Sequence, residues 1–407
     1  MPFDRVSLPR RHRPVWLAVL LLGVAATAVG IDRTAFFSGR HECSSAITQS
    51  ASRPALERVL AEAVAGSSAI APGATAYVLG PHGRWLGAAG FADVHPCVPM
   101  AVDARMRLES VTKIYTAALI LRLDQERKLD VTDTVERWLP GVLPYGRQIT
   151  IRELLTMSSG LIDNNDFLNA SDPVKNTYLR RVKDPKLRAT ILATAKRVDE
   201  DPAIVVPARL WIEWAAWQPL LFTPGLGYHY SNIGYDILGL IAARAGGKPL
   251  PELYREKIFE PLGLHATAYD PQGRISGPHA RGYAIEAGRR IDTTDWHWGV
   301  GAEGGIVSNA EETATFLSAL MRGKLVDRQE LGAMKGKDLW NDGMSSGCAD
   351  QAYGWSGGGS GYKSEVWVNG DGSRVAVLLL NARHLGAEQP AADSTAHEDL
   401  VSLYCGA

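Results

Sequence analysis

The hydrophobic positions change period along the chain. Over residues 53–66, Leu56, Val59, Leu60, Ala63 and Val64 recur at helical spacing and predict an amphipathic helix. Residues 74–79 and 84–92 read as two strands, and Gly80-Pro81-His82-Gly83 between them is a hairpin signal. From Ser110 to about residue 265 the pattern is mostly helical. That stretch holds the apolar run Ile114-Tyr115-Thr116-Ala117-Ala118-Leu119-Ile120-Leu121, the segment 149–155 with Thr150 as a candidate N-cap, and the segment 233–245. Residues 363–368 alternate like a strand, and 373–380 form its partner. The Asn369-Gly370-Asp371-Gly372 between them is the best hairpin signal in the chain. Residues 394–404 read as a final helix.

This order predicts an α+β fold: an antiparallel sheet built from both ends of the chain, flanked by N- and C-terminal helices, with a mostly helical domain inserted. The expected division is a sheet domain of 41–105 plus 266–407 and a helical domain of 106–265. Within the latter, 162–222 is polar and punctuated by Asp172-Pro173, Asp184-Pro185 and Asp201-Pro202. It reads as a surface excursion of helices, either a lid over a cleft or a structural elaboration. No repeat of 20–50 residues is visible.

Residues 1–40 differ in character. Arg5, Arg10, Arg11 and Arg13 precede an apolar run from Trp16 to Ile31 with a small-residue exit at Ala26-Thr27-Ala28. That describes a cleaved signal peptide, or an uncleaved membrane anchor slightly short of the roughly 20 residues a span needs. Either places the rest of the chain outside the cytoplasmic membrane, secreted or anchored to its outer face. The four cysteines, Cys43, Cys97, Cys348 and Cys405, are widely spaced with no C-x-x-C, which excludes a zinc knuckle or a thioredoxin-type pair. Exported chains tend to oxidise such cysteines. Of three connectivities, Cys43–Cys405 with Cys97–Cys348 is preferred. The 407 residues are 46% hydrophobic with a formal net charge of −1, enough for one large or two medium domains. No basic block points to a nucleic-acid partner. The pattern does not set the oligomeric state.

The candidate chemistry begins at Ser110-Val111-Thr112-Lys113. On a helix, i and i+3 share a face, so Lys113 stands over Ser110. A lysine in an apolar site loses proton affinity and can act as a base, and a serine beside it becomes a nucleophile. Chance supplies about one S-x-x-K in a chain of this length, and a helix N-terminus with a serine cap is the structural reading. A second match, Ser360-Gly361-Tyr362-Lys363, runs into a strand pattern, where i and i+3 face opposite ways. Tyr230-Ser231-Asn232 could share a loop facing a cleft, Tyr230 relaying a proton and Asn232 bonding both Lys113 and an amide substrate, or could be a simple turn. In Gly354-Trp355-Ser356-Gly357-Gly358-Gly359-Ser360-Gly361, dense glycine lets backbone approach a ligand and present an N–H to an oxyanion.

The order of these clusters resembles the serine β-lactamase and penicillin-binding-protein superfamily, on its class C β-lactamase, DD-peptidase and esterase side. Ser110–Lys113 matches its S-x-x-K, Tyr230-Ser231-Asn232 its Y-x-N, and Trp355-Ser356-Gly357 its Lys/His-x-Gly. The stretches 151–161, 222–225 and 304–308 look familial too, and the resemblance covers roughly residues 55–405. It implies that Ser110 forms an acyl-enzyme with a small-molecule or peptide acyl substrate. Lys113 and Tyr230 would share the proton shuttle, Asn232 would orient lysine and substrate, and the N–H groups of Ser110 and Gly358 would form the oxyanion hole. No metal or organic cofactor is implied. Trp355, Ser356 and Gly357 would contact substrate. Trp355 departs from the family's cation, which helps bind a substrate carboxylate; indole is neutral and donates one hydrogen bond. The expectation therefore leans to a carboxylic ester or amide. A D-alanyl-D-alanine carboxypeptidase or β-lactamase is the alternative, and a non-turnover penicillin-recognising module the rival from another class. Gly343-Met344-Ser345-Ser346-Gly347 fits a nucleophile elbow but lacks the strand before it and the helix after it. The histidines show no zinc spacing.

Overall fold

The computed structural model describes residues 47–49, 52–65, 70–200, 205–296, 300–327, 330–331, 341–342, 352–359 and 361–406. The N-terminal segment read as an export signal, the elbow-like 343–347, Ser360 and His297 lie outside them.

The main sheet uses β1 (Ile47–Gln49), β2 (Gly73–Gly80), β3 (Gly83–Asp93), β4 (Asn341–Asp342), β5 (Ala352–Gly359), β6 (Tyr362–Asn369) and β7 (Val375–Leu380). Their order is β1-β3-β2-β7-β6-β5-β4, antiparallel throughout, with Val98–Pro99 added beside β3. Both hairpins form where turn chemistry places them: Gly80 pairs with Gly83, and Val368 with Val375. The two ends of the chain meet at the sheet's centre, where β7 pairs with β2 from Val375↔Leu79 to Leu380↔Ala74.

All six residues of β7 are buried. Alternation sends Val375, Val377 and Leu379 to one core and Ala376, Leu378 and Leu380 to the other. The second core is closed by α1 (Pro54–Val64), through Leu56, Leu60 and Ala63, and by the C-terminal helix (Gln389–Cys405), through Ala396, Leu400, Leu403 and Tyr404. That last helix begins five residues before the sequence pattern suggests. Pro390 falls in its first turn, where a missing N–H costs nothing, so the polar start propagates as helix.

The first core continues from the sheet into the helical region. Its axis is α2 (Thr112–Gln125), apolar all round and therefore buried on nearly every side. It packs against α3 (Asn232–Gly246). Ile151–Leu155 starts with a full capping box, Thr150 accepting from Glu153 N while Glu153 accepts from Thr150 N. The 162–222 segment is rooted in this core, not laid on the surface. Four of its helices, Asn164–Leu168, Asp172–Arg181, Pro185–Glu200 and Ala208–Ala215, contribute Phe167, Leu179, Ile191 and Trp214. Phe167 and Tyr178 lie 5.5 Å and 5.8 Å from Trp214 between ring centroids. Residues 43–407 accordingly form one compact unit.

Cys97 and Cys405 are both disulfide-bonded; Cys43 and Cys348, which the preferred connectivities need, lie outside the described residues. Among the described residues no helix is long and apolar enough to cross a membrane. The capping box carries a direct expectation. Thr150→Ala should cost about 1 kcal/mol in chemical denaturation, and Thr150→Ser should retain most of that.

Candidate active site

Ser110 sits in the tight turn Glu109–Val111 that leads into α2. Three contacts pin this turn. Leu108 N donates to Ile306 O at 2.9 Å, Ser364 Oγ donates to Leu108 O at 2.6 Å, and Thr112 Oγ1 accepts from Ile306 N at 3.0 Å. The helical step then carries Lys113 over Ser110, with Nζ 3.0 Å from Oγ. Lys113 is fully buried, and its Nζ also donates to Asn232 Oδ1 and Glu303 O, each at 2.8 Å. Three acceptors match the three protons of an ammonium. Tyr230 completes the chain: its hydroxyl is 2.7 Å from Ser110 Oγ, and Lys113 Nζ is 4.9 Å from its ring centroid.

The Tyr230-Ser231-Asn232 segment is the N-terminus of α3. Ser231 is the cap, accepting from Gly234 N at 3.2 Å, so Tyr230 precedes the helix and Asn232 opens it. Asn232 is clamped from behind by Asp163, which accepts from Asn232 N at 2.7 Å and from Asn232 Nδ2 at 3.1 Å. Because Nδ2 is committed to a carboxylate, Oδ1 must face Lys113. Asp163 is 3% exposed, and burial pushes its pKa up against the opposing pull of the Asn232 N–H and Lys113. Sequence reasoning missed it. Its local pattern is that of a helix cap, a role it also plays for Asn164–Leu168, and that reading hides the second one.

The opposite wall is β5. A Cβ at Gly357 would lie 2.4 Å from Leu108 O, 2.5 Å from Ser364 Oγ and 3.0 Å from Ser110 N, so only glycine lets the strand lie on the serine turn. Ser110, Tyr230, Asn232 and Gly358 line one cavity of about 260 Å³, with Asn164 and Asn165 from the 162–222 segment. Two expected substrate contacts fall elsewhere. Alternation turns Ser356 to the opposite face, where its Oγ donates to Glu365 at 2.7 Å and accepts from Lys363 Nζ at 2.6 Å. Trp355 is packed against the first core with its Nε1 buried and unbonded, and it does not line the Ser110 cavity. Lys363, the lysine of the second S-x-x-K, is paired with Glu365 at 2.8 Å on that far face.

Two acids line the same cavity, Glu109 and Glu303. Glu109 has positive φ (50°), is 5% exposed, and its Oε1 meets no donor. Burial pushes its pKa up to about 8, against the nearby Arg107. The folded state thus holds a proton that the unfolded chain releases near its ordinary value of 4.5. Stability from this group is present at low pH and lost as pH rises from about 4.5 to about 8. Glu109→Gln should therefore gain stability relative to the wild type, by more than about 1 kcal/mol, between pH 5 and pH 9 in urea titrations.

Comparison with known proteins agrees with this geometry. The family model described as Beta-lactamase matches residues 56–400. Esterase EstB from Burkholderia gladioli is 31% identical over 250 residues, covering 60% of this chain and 56% of that protein. The matched regions span less than two thirds of the curated relatives' length, 43% for the first two of them. A D-stereospecific amidohydrolase from Streptomyces sp. superposes with a TM-score of 0.68 at 25% identity, covering 88% of this chain and all of that one. The octameric penicillin-binding protein homologue from Pyrococcus abyssi shares the fold, with a TM-score of 0.60 at 19% identity over 80% of this chain and 73% of its own. With most of its length matched and the S-x-x-K, Y-x-N and glycine-strand elements assembled in one cleft, the chain belongs to the Beta-lactamase family.

Proposed function

We propose that this protein is an exported serine hydrolase that cleaves carboxylic esters or amides through an acyl-enzyme on Ser110. The observation that carries this reading is the unbroken chain Lys113 Nζ–Ser110 Oγ–Tyr230 Oη, at 3.0 Å and 2.7 Å. Once Lys113 has released one of its three protons, its amine takes the Ser110 proton together with Tyr230 as Oγ attacks the carbonyl carbon, and the pair return it to the departing alcohol or amine as its bond to that carbon breaks. The N–H groups of Ser110 and Gly358 receive the negative oxygen. A water repeats the sequence and releases the acid. The basic–apolar pattern of residues 5–31 supports export.

The lining of the cavity favours substrates without a carboxylate. Among the described residues that form it there is no lysine or arginine. Near β5, Lys363 and Arg383 are paired with Asp393 on the far face. A penicillin or D-Ala-D-Ala carboxylate would meet no lysine or arginine counter-ion among the described residues that line this cavity. The similarity to an esterase and an amidohydrolase is in line with this.

Ser110→Ala should lower ester turnover by roughly a thousandfold or more and abolish labelling by a serine-reactive probe; retained turnover refutes the reading. In a panel of p-nitrophenyl esters, a cephalosporin and a D-Ala-D-Ala peptide, only the esters should be hydrolysed. Asp163→Ala should lower kcat by about 10- to 100-fold while leaving KM less affected, because Asn232 then loses its fixed orientation.

A further inference from the structure

A second cavity, of about 320 Å³, adjoins the first and shares Asn164, Asn232 and Glu303 with it. Asp236, one helical turn beyond Asn232 on α3, and Glu303 both line it, at 8% and 9% exposure. Asp236 Oδ1 and Glu303 Oε2 are buried and meet no donor among the described residues. A Cβ on Gly301 would lie 2.1 Å from the first and 2.2 Å from the second, so the two oxygens converge over a bare glycine Cα. Two carboxylates this close repel when both are ionised, so the arrangement disfavours charge on both. Burial and the facing Glu303 push Asp236 well above the usual carboxylate range, in agreement. A proton kept on Asp236 leaves the pair at most one negative charge.

Among the described residues that line this cavity none carries a positive charge. The nearby Lys113 directs its three protons to Ser110, Asn232 and the Glu303 main chain. The remaining walls include Val206, Pro207, Trp211, Tyr269 and Val300. Among the described residues no cluster of three acids, histidines or cysteines could hold a metal ion. A buried acidic pair beside apolar walls suits an organic cation.

We propose that this second cavity is a subsite for an ammonium group carried by the substrate, held by the Asp236–Glu303 pair beside apolar walls. The assignment rests on the proposed hydrolase reading, because Ser110 then acts on a carbonyl placed by this subsite. It makes the substrate an ester or amide that also bears a basic amine.

The test uses benzylammonium and benzyl alcohol as matched inhibitors of p-nitrophenyl acetate hydrolysis. Benzylammonium should inhibit competitively with a constant at least about tenfold lower than the alcohol's. The double substitution Asp236→Asn with Glu303→Gln should erase that difference. In Ser110→Ala protein, benzylammonium but not benzyl alcohol should raise the melting temperature, which reads binding without turnover. Equal inhibition of the wild type by the two probes overturns the proposal, as does a difference that survives in a cooperatively melting double variant. Ester turnover retained by Ser110→Ala would instead sink the hydrolase reading, and the melting test would still decide the subsite.

Discussion

A lysine ammonium with no access to water has to be surrounded by acceptors, and that requirement sets the arrangement of the cleft. A buried unpaired charge costs several kcal/mol. Lys113 meets its need from three separate places: the serine turn before its own helix, the opening residue of α3, and the main chain before Ile306. Two of these acceptors are themselves held, Asn232 by Asp163 and the serine turn by Ile306 and Ser364. The site is therefore rigid because one charge ties three segments of the chain together.

Parts of this were legible from sequence because they are local. The i,i+3 relation of Ser110 and Lys113 needs only a helix, and the two hairpins need only their turn residues. The contact of Tyr230 with Ser110 spans 120 positions and no local rule yields it; family resemblance supplied it. Asp163 carries no local sign of its contact with Asn232, 69 positions along the chain. Asp236 reads as an ordinary helix residue until Glu303 faces it across Gly301. Ser356 was assigned to substrate from its place in a motif, yet strand alternation decides its direction and sends it to the other face.

Trp355 shows how a substitution changes more than its own contact. Where the resemblance implies a cation toward substrate, the indole here packs against the core, its N–H unbonded among the described residues. The cavity keeps acids without a balancing cation beyond Lys113. Charge, more than volume, then defines what the cleft accepts.

The pairing of β7 with β2 has a further consequence, for the order of assembly. The sheet's centre joins residues 74–79 to residues 375–380, and the serine turn leans on Gly357 and Ser364 from the adjoining strands. Contacts of such sequence separation form late, because closing so long a loop precedes any reward. A growing chain can carry Ser110 and Lys113 on a formed helix while the wall that shapes their cleft is still missing. The cleft around Ser110 and Lys113 thus belongs to the finished chain, and it stays incomplete until the last strands are in place.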